Sequence, residues 1–582
     1  MRAVAFQLPN AIKIKPFLLL YSTLAFNSIS STKTLSYRSP WCSIKTLTPY
    51  RSKLPACLAM DSSTVASVQV KDKIDLTDIE NRIFDRLLNT IRRFNLQTEL
   101  RVAGGWVRDK LLGKDSYDID IAIDNMLGRE FLEKVKEYLE SIGEEAQGVA
   151  VIASNPEQSK HLETARMRLF DMWIDFVNLR CEDYSENSRI PTMKFGTAKE
   201  DALRRDLTIN SLFYNINNSS VEDLTGRGIS DLKHGKIVTP LEPRTTFLDD
   251  PLRVLRAIRF GARFGFTLDE DLKKAAACDE VKTSLSAKIS RERIGTEIDL
   301  MMAGNQPVKA MISICDLTLF DIIFSLPPNF EPAVSEEYHR LCIAYLESAC
   351  NLVQLIDNST FNDEQIRLSF YAALFLPFRE STYKDKKAKK IPVVNYIFKD
   401  SLKRKASDAE TVINIHKASG KFLSLIPSLL SNEDIKLLEP DCGSEFVDVP
   451  VTSKLRVSAG FLLREIKDFW RVSLLISSLL HSYDIDCTLD CLNKQMLLDK
   501  KRDLYKAVEK AIVSLGLEEV WDLKPLVNGK EIMDALELKA GGPLIREWQQ
   551  KVMAWQLGHP SGTLEECREW MRQTRCKRAK ME

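Results

Sequence analysis

Residues 100–124 read LRVAGGWVRDKLLGKDSYDIDIAID, and the fold of the N-terminal half turns on them. RVAGG reads as a strand ending in a paired-glycine turn, a short helical segment follows, and YDIDIAI reads as a second strand with aspartates at alternate positions. Strand residues two apart point to one side. Asp118 and Asp120 therefore present two carboxylates to one spot while Ile119 and Ile121 enter the core. Gly104 and Gly105 let the backbone turn tightly and approach a ligand without Cβ interference. Free N–H groups at the helix start favour an anion, and Arg108 adds a planar donor fork suited to phosphate oxygens. Paired carboxylates suit hard divalent cations, and Mg²⁺ typically binds through one or two of them plus substrate phosphates. A phosphate cradle beside a metal pair implies chemistry on a nucleoside triphosphate.

Around this stretch, apolar residues at Ile79, Ile83, Phe84, Leu87, Leu88 and Ile91 recur at helical spacing. GVAVIAS, ETARMRLF and MWIDFVNLR read as further strands, and residues 128–142 and 198–215 as long helices. After Pro240 the pattern is helical almost to the C-terminus. The fold class expected is α+β: a head with a mixed β-sheet and helices over 61–238, then an all-α neck (239–303), body (304–430) and tail (431–582). Two polar breaks, KDKKAKK at 384–390 and an acidic, Pro-containing run at 431–451, read as loops on a helical body.

The first sixty residues contain no Asp or Glu but carry Arg2, Lys13, Lys15, Lys33, Arg38, Lys45, Arg51 and Lys53 among many Ser and Thr. That composition matches an organellar transit peptide, for mitochondrion or plastid, with 1–60 outside the folded part. The apolar run PFLLLYSTLAF is too short to span a bilayer. Met60 lies at the boundary, and initiation there would leave a cytosolic or nuclear form. With 582 residues, 44% hydrophobic and 28% charged, the chain is an ordinary globular protein of several domains. A net charge of +1 gives no global basic signature, so a nucleic-acid surface would be local. Twelve irregularly spaced cysteines suggest reduced thiols; Cys487 and Cys491 lack the partners a zinc site needs. No triad or metal constellation of histidines is visible.

Further motifs follow in a fixed order. EDALRRDLTINSLFYN (200–215), DLTGRGISDL (223–232), DDPLRVLRAIRFGARFGF (249–266) and SRERIGTEIDLMM (290–302) succeed GGWVRD and DID. Together they resemble motifs A to D, and the helical element after them, of the polymerase β-type nucleotidyltransferases. The form is that of class II CCA-adding tRNA nucleotidyltransferases and bacterial-type poly(A) polymerases. The resemblance covers about residues 61–303 well and the C-terminal half loosely. Two positions depart from the family pattern: Ser211 replaces an alanine of RRDxxxNA, and Asp249 a glutamate of EDxxR.

The resemblance implies template-independent addition of C, C and A to the 3′ end of tRNA from CTP and ATP. Asp118 and Asp120 would be the catalytic pair, holding two Mg²⁺ ions. Gly105, Arg108 and Arg205 would orient the nucleotide, with Asp206 and Asn210 on the ribose side. Asp250 and Arg253, three apart on one helix face, would read the base, because an acceptor and a donor can bond the Watson–Crick edge of cytosine or adenine. Arg256 and Arg259 would continue a basic stripe towards the triphosphate, and Asp249 would support Arg253. Asp175 is either a third carboxylate by the metals or a solvent-facing strand residue. Residues 181–199 read as a mobile loop beside the site. The basic clusters at 384–390, 403–405 and 575–580 are either RNA grips or solvated surface. A monomeric state, tRNA gripped by the helical half, and no membrane partner complete the expectation. Poly(A) synthesis and an inactive RNA-binding relative are the alternatives.

Overall fold

The computed structural model describes residues 69–152, 164–184, 191–335, 337–431, 451–481, 491–537 and 542–578. The transit-peptide and Met60 readings, most of the acidic run, Cys487 and the end of the last basic cluster lie outside them.

Helix α1 (Asp78–Arg93) starts at a reciprocal cap: Glu80 N–H donates to Thr77 Oγ1 at 3.2 Å, and Thr77 N–H to Glu80 Oε2 at 2.8 Å. It buries Ile83, Phe84, Leu87 and Ile91, whereas Ile79 stays 42% exposed. Strand β1 (Leu100–Ala103) leads through Gly104 into α2 (Gly105–Leu111), and β2 (Ile119–Ile123) follows. Glu80 ties α1 to α2, accepting from Trp106 Nε1 at 3.0 Å and Lys110 Nζ at 2.7 Å. After α3 (Gly128–Ser141) come β3 (Gln147–Ile152), β4 (Thr164–Leu169) and β5 (Met172–Asn178), then a hairpin of β6 (Arg180–Asp183) and β7 (Thr192–Phe195). The described part of the expected loop at 181–199 is therefore largely this hairpin.

The second long helix is broken. Helix α4 (Ala198–Leu203) stops, a 3-10 turn occupies Thr208–Asn210, and β8 (Phe213–Asn215) pairs with β1 and with β9 (Ser220–Glu222). The cause is local: Asp206 Oδ1 accepts from its neighbour Leu207 N–H at 2.9 Å, and Leu207 is extended. Short polar side chains compete with the helix in this way. The seven-stranded sheet runs β3-β4-β5-β2-β1-β8-β9, antiparallel except for β2 beside β5.

Its two faces differ. Ile119, Ile121, Ile123, Ile174 and Phe176 join α1 and α3 in the main core, while Ala103, Ala122 and Phe213 form a small apolar patch on the other side. The alternation expected of β2 holds. Helix α5 (Gly228–Lys233) props the 3-10 turn, its buried Asp231 accepting from Thr208 Oγ1 at 2.8 Å.

Helices α6 (Pro243–Asp249) and α7 (Leu252–Phe264) follow, then α8 (Glu270–Ala276), α9 (Asp279–Lys288) and α10 (Arg291–Met302). Beyond them the described chain is nearly all helical, and the main core continues to Leu557. The lysine-rich run at 384–390 is not a plain loop: it turns a hairpin between Thr382–Lys384 and Lys390–Pro392. A separate small core gathers Val527, Ile532, Trp548, Trp555, Cys567 and Met571. Among the described residues no helix is long and apolar enough to cross a membrane.

Candidate active site

A cleft of about 540 Å³ opens between the sheet's second face, the β6–β7 hairpin and helix α7. Asp120 lies on its wall and Asp118, exposed, sits one residue before β2. Register places Asp175 of β5 directly beside Asp120. Burial first, then the negative charges of Asp118 and Asp175, push the Asp120 carboxyl up to about 6, against the pull of Arg205 and Arg166. Asp175 is already claimed: Arg166 Nη2 donates to Oδ2 at 2.8 Å, and Arg166 Nε to Oδ1. Asp175 thus stands beside Asp120 as an ion-paired neighbour whose negative charge is still felt there. Among the described residues no group of three or more His, Cys, Asp or Glu is arranged to hold a metal ion. The donor set at Asp118 and Asp120 is nonetheless all oxygen, and Mg²⁺ needs only one or two carboxylates when substrate supplies the rest.

Gly104 sits where the backbone demands glycine. Its φ is +70°, and a Cβ there would lie 2.7 Å from Arg205 Nη1. Gly105 and Arg108 line the cleft. Arg108 is buried, donating Nε and Nη2 to Asp109 at 2.8 and 2.9 Å and Nη1 to Asn210 Oδ1, with its guanidinium over Phe264 at 4.7 Å. Arg205 donates to Asp201 Oδ2 at 3.0 Å and to the Asn210 carbonyl at 3.3 Å. Asn210 Nδ2 in turn donates to Asp206 at 3.1 Å. Arg205, Asp206 and Asn210 do converge, although a 3-10 turn brings them together and not a continuous α-helix.

Asp250 and Arg253 both line the cleft, but they do not share one helix. Pro251 disfavours the helical conformation at the residue before it, so Asp250 is extended (φ −135°, ψ 98°) between α6 and α7. Asp250 pairs with Arg293 of α10 at 3.0 Å. Arg253 is buried and donates Nη2 to the Arg204 carbonyl at 2.8 Å and the Tyr184 hydroxyl at 3.3 Å. Tyr184 is itself bonded to Glu182 at 2.7 Å, so the β6–β7 hairpin braces Arg253. Asp249 feels Arg253 electrostatically, although burial raises its pKa overall.

Arg256 lines the cleft and pairs with Asp206 at 2.7 Å. Burial works against the Asp206 charge, but Arg256, Asn210 and Arg253 together hold its pKa at about 2. Arg259 departs from expectation: it is one step off the stripe, bonded to Glu297 at 2.6 Å and lining a neighbouring hollow with Lys114. Arg263 and Arg293, which the sequence reading passed over, line the main cleft instead. Arg263, half-exposed, lies 3.9 Å from Asp109 and stands over the Phe264 ring at 5.2 Å. Helical spacing from Arg253 through Arg256 to Arg263 was the available signal for it.

The family profile of the poly A polymerase head domain matches residues 100–238. The tRNA nucleotidyltransferase cca2 of Schizosaccharomyces pombe is 33% identical over 85% of this chain and 98% of its own length. The mitochondrial CCA tRNA nucleotidyltransferase of Saccharomyces cerevisiae is likewise 33% identical, over 85% of this chain and 92% of that one. The Bacillus stearothermophilus CCA-adding enzyme, solved in complex with CTP, shares the fold at a TM-score of 0.58 and 16% identity, covering 87% of this chain and all of that one. With relatives matched over nearly their whole length, the chain is an enzyme of the CCA tRNA nucleotidyltransferase family.

Proposed function

We propose that the protein rebuilds the 3′ end of tRNA, adding C, C and A from CTP and ATP without a nucleic-acid template and releasing pyrophosphate. The observation that supports this best is the convergence on one cleft of the β2 carboxylate Asp120, a cation-lined middle, and the Asp250 and Arg253 pair. Asp118 and Asp120 would hold divalent cations, Mg²⁺ in our reading, which supply charge neutralisation for the triphosphate and lower the pKa of the attacking 3′-hydroxyl.

The remaining work falls to the chain's own side chains. Arg256 and Arg263, with Arg108 and Arg205 behind them, face the anionic triphosphate; Gly105 leaves room for it. Asp250 accepts from the exocyclic amine of cytosine or adenine, and Arg253 donates to the ring acceptors. Guanine and uracil would leave buried polar groups unpaired, which costs roughly 1–3 kcal/mol each. Arg293 and the Tyr184–Glu182 pair hold these two readers in place. The domain divisions fit this division of labour: 61–238 for chemistry, 239–303 for base choice, 304–430 as body and 431–582 as the tail on tRNA. Mitochondrial naming of two relatives supports reading residues 1–60 as a mitochondrial address.

The test uses tRNA ending at the discriminator base, at –C or at –CC, with single labelled nucleotides and Mg²⁺. Two additions of CTP followed by one of ATP are expected. Long A tails, or ATP addition regardless of the end, would defeat the reading in favour of poly(A) synthesis.

A further inference from the structure

The reacting carboxylates have two sides, and the cleft covers them unequally: on β5 it is lined by Val177 and Asn178 but not by Trp173 or Asp175. Strand order puts β1, with Gly105 and Arg205 beyond it, on one flank of β2, and β5 then β4 on the other. Nucleotidyl transfer needs the nucleotide on one flank and the attacking hydroxyl on the other. The β5 flank carries a residue that burial does not explain. Trp173 is 45% exposed, whereas Trp106, Trp470, Trp548 and Trp555 are buried. It shares the second face with Asp175, two residues on, and the Ile119–Ile174 register sets it opposite Asp118 across one strand spacing, about 4.8 Å.

The indole is held there. Its edge lies over Gly148 of β3, where an added Cβ would come within 2.8 Å of the ring, and Gly148 has φ +59°. Arg166 places its guanidinium 5.7 Å from the ring centroid, and Arg168 lies across from Trp173 in the β4–β5 register. Both arginines remain partly exposed, and Arg168 pairs with the highly exposed Asp171 at 3.1 Å. An exposed, braced aromatic flanked by arginines is the chemistry that receives a single-stranded nucleotide: the ring stacks on a base and the cations meet its phosphates.

We propose that Trp173, with Arg166 and Arg168, is the binding subsite for the 3′-terminal nucleotide of the RNA primer, placing its hydroxyl beside Asp118. This rests on the function proposed above. Because a π-face is common to all bases, the subsite accepts the discriminator base or a newly added C alike, as repeated addition requires.

The experiment compares wild type, Trp173→Ala and Trp173→Phe of the full chain with CTP and tRNA lacking its CCA end. A matched tRNA whose terminal nucleotide is abasic serves as the second substrate. Trp173→Ala should raise the KM for tRNA about tenfold or more, with the KM for CTP and the melting temperature unchanged, and Trp173→Phe should restore most of the loss. Removing the terminal base should harm the wild type and leave Trp173→Ala indifferent. An unchanged tRNA KM in the alanine variant overturns the subsite, as does a phenylalanine variant as poor as alanine or an equal penalty from the abasic end in both proteins. Those failures leave the proposed function standing; a wild type that adds nothing to tRNA removes both.

Discussion

Two carboxylates on the wall of one cleft are held in opposite states. Asp120, on β2, is surrounded by its own kind, and its pKa is raised to about 6 by burial and by Asp118 and Asp175. Asp206, beyond α4, is more deeply buried yet held at about 2, because Arg256 and Asn210 outweigh the desolvation that burial brings. One group lacks a cation that something outside the chain must supply. The other has its cation already and serves to aim it. A cleft that must bind metal and polyphosphate together needs both kinds, since free carboxylates would repel the triphosphate and free arginines would repel the metal.

The largest effect should come from the unsatisfied group. Asp120→Asn is expected to lower kcat by about 10³-fold or more, equivalent to ~4 kcal/mol of barrier, while tRNA binding persists; near-wild-type turnover in a single-nucleotide assay would end the metal assignment. Stability should move the other way. A raised carboxyl pKa means the ionised form is disfavoured in the fold, a cost absent below about pH 4, growing towards pH 6 and full above it. In metal-free buffer at neutral pH, Asp120→Asn should therefore be more stable, by at most about 3 kcal/mol. Added Mg²⁺ should raise the melting temperature of the wild type and not of the variant.

Asp206→Asn should do the reverse. Its depressed pKa contributes stability fully present above about pH 4 and lost as pH falls towards 2, worth about 2 kcal/mol by linkage. The variant should lose about that much at neutral pH, with Arg256 left beside an uncharged partner. Denaturant unfolding at pH 7 measures it, and an unchanged midpoint would show that Arg256 re-pairs with Glu297, 4.0 Å away.

The same contrast explains what the chain's sequence reveals. Asp118, Asp120 and the core isoleucines are placed by strand alternation alone, so a short local pattern suffices to read them. The sheet strands from β1 to β5 follow for the same reason. Asp206, Asp250 and Arg253 are placed by partners far along the chain: Arg256 lies 50 residues from Asp206, Arg293 lies 43 from Asp250, and Arg204 lies 49 from Arg253. Spacing rules within a helix have no access to such contacts, so the break at Arg204 and the kink at Pro251 were missed. Arg259 stands off the cleft's basic stripe because Glu297 of α10 holds it. A resemblance could name the residues of this half of the cleft, and only the fold could say what each one holds.

Base choice should respond in two sizes. Arg253→Ala removes a donor aimed at the base and should relax discrimination against UTP and GTP by roughly 5–150-fold, the equivalent of ~1–3 kcal/mol, with a smaller change in triphosphate affinity. Unchanged selectivity would take the base-reading role from it. Arg293→Ala leaves both readers present but frees the Asp250 carboxylate, which among the described residues then keeps the Leu252 N–H at 3.2 Å. The pair is part-buried, its side chains 27% and 19% exposed, and a single ion pair that still meets solvent contributes modestly, so the expected loss of discrimination is about fivefold, ~1 kcal/mol. Because Arg293 acts through Asp250, its effect should vanish in an Asp250→Ala background, where there is no carboxylate left to aim. A full additional loss in the double variant would mean that Arg293 touches the nucleotide itself, and the division between residues that read and residues that hold would have to be redrawn at α10.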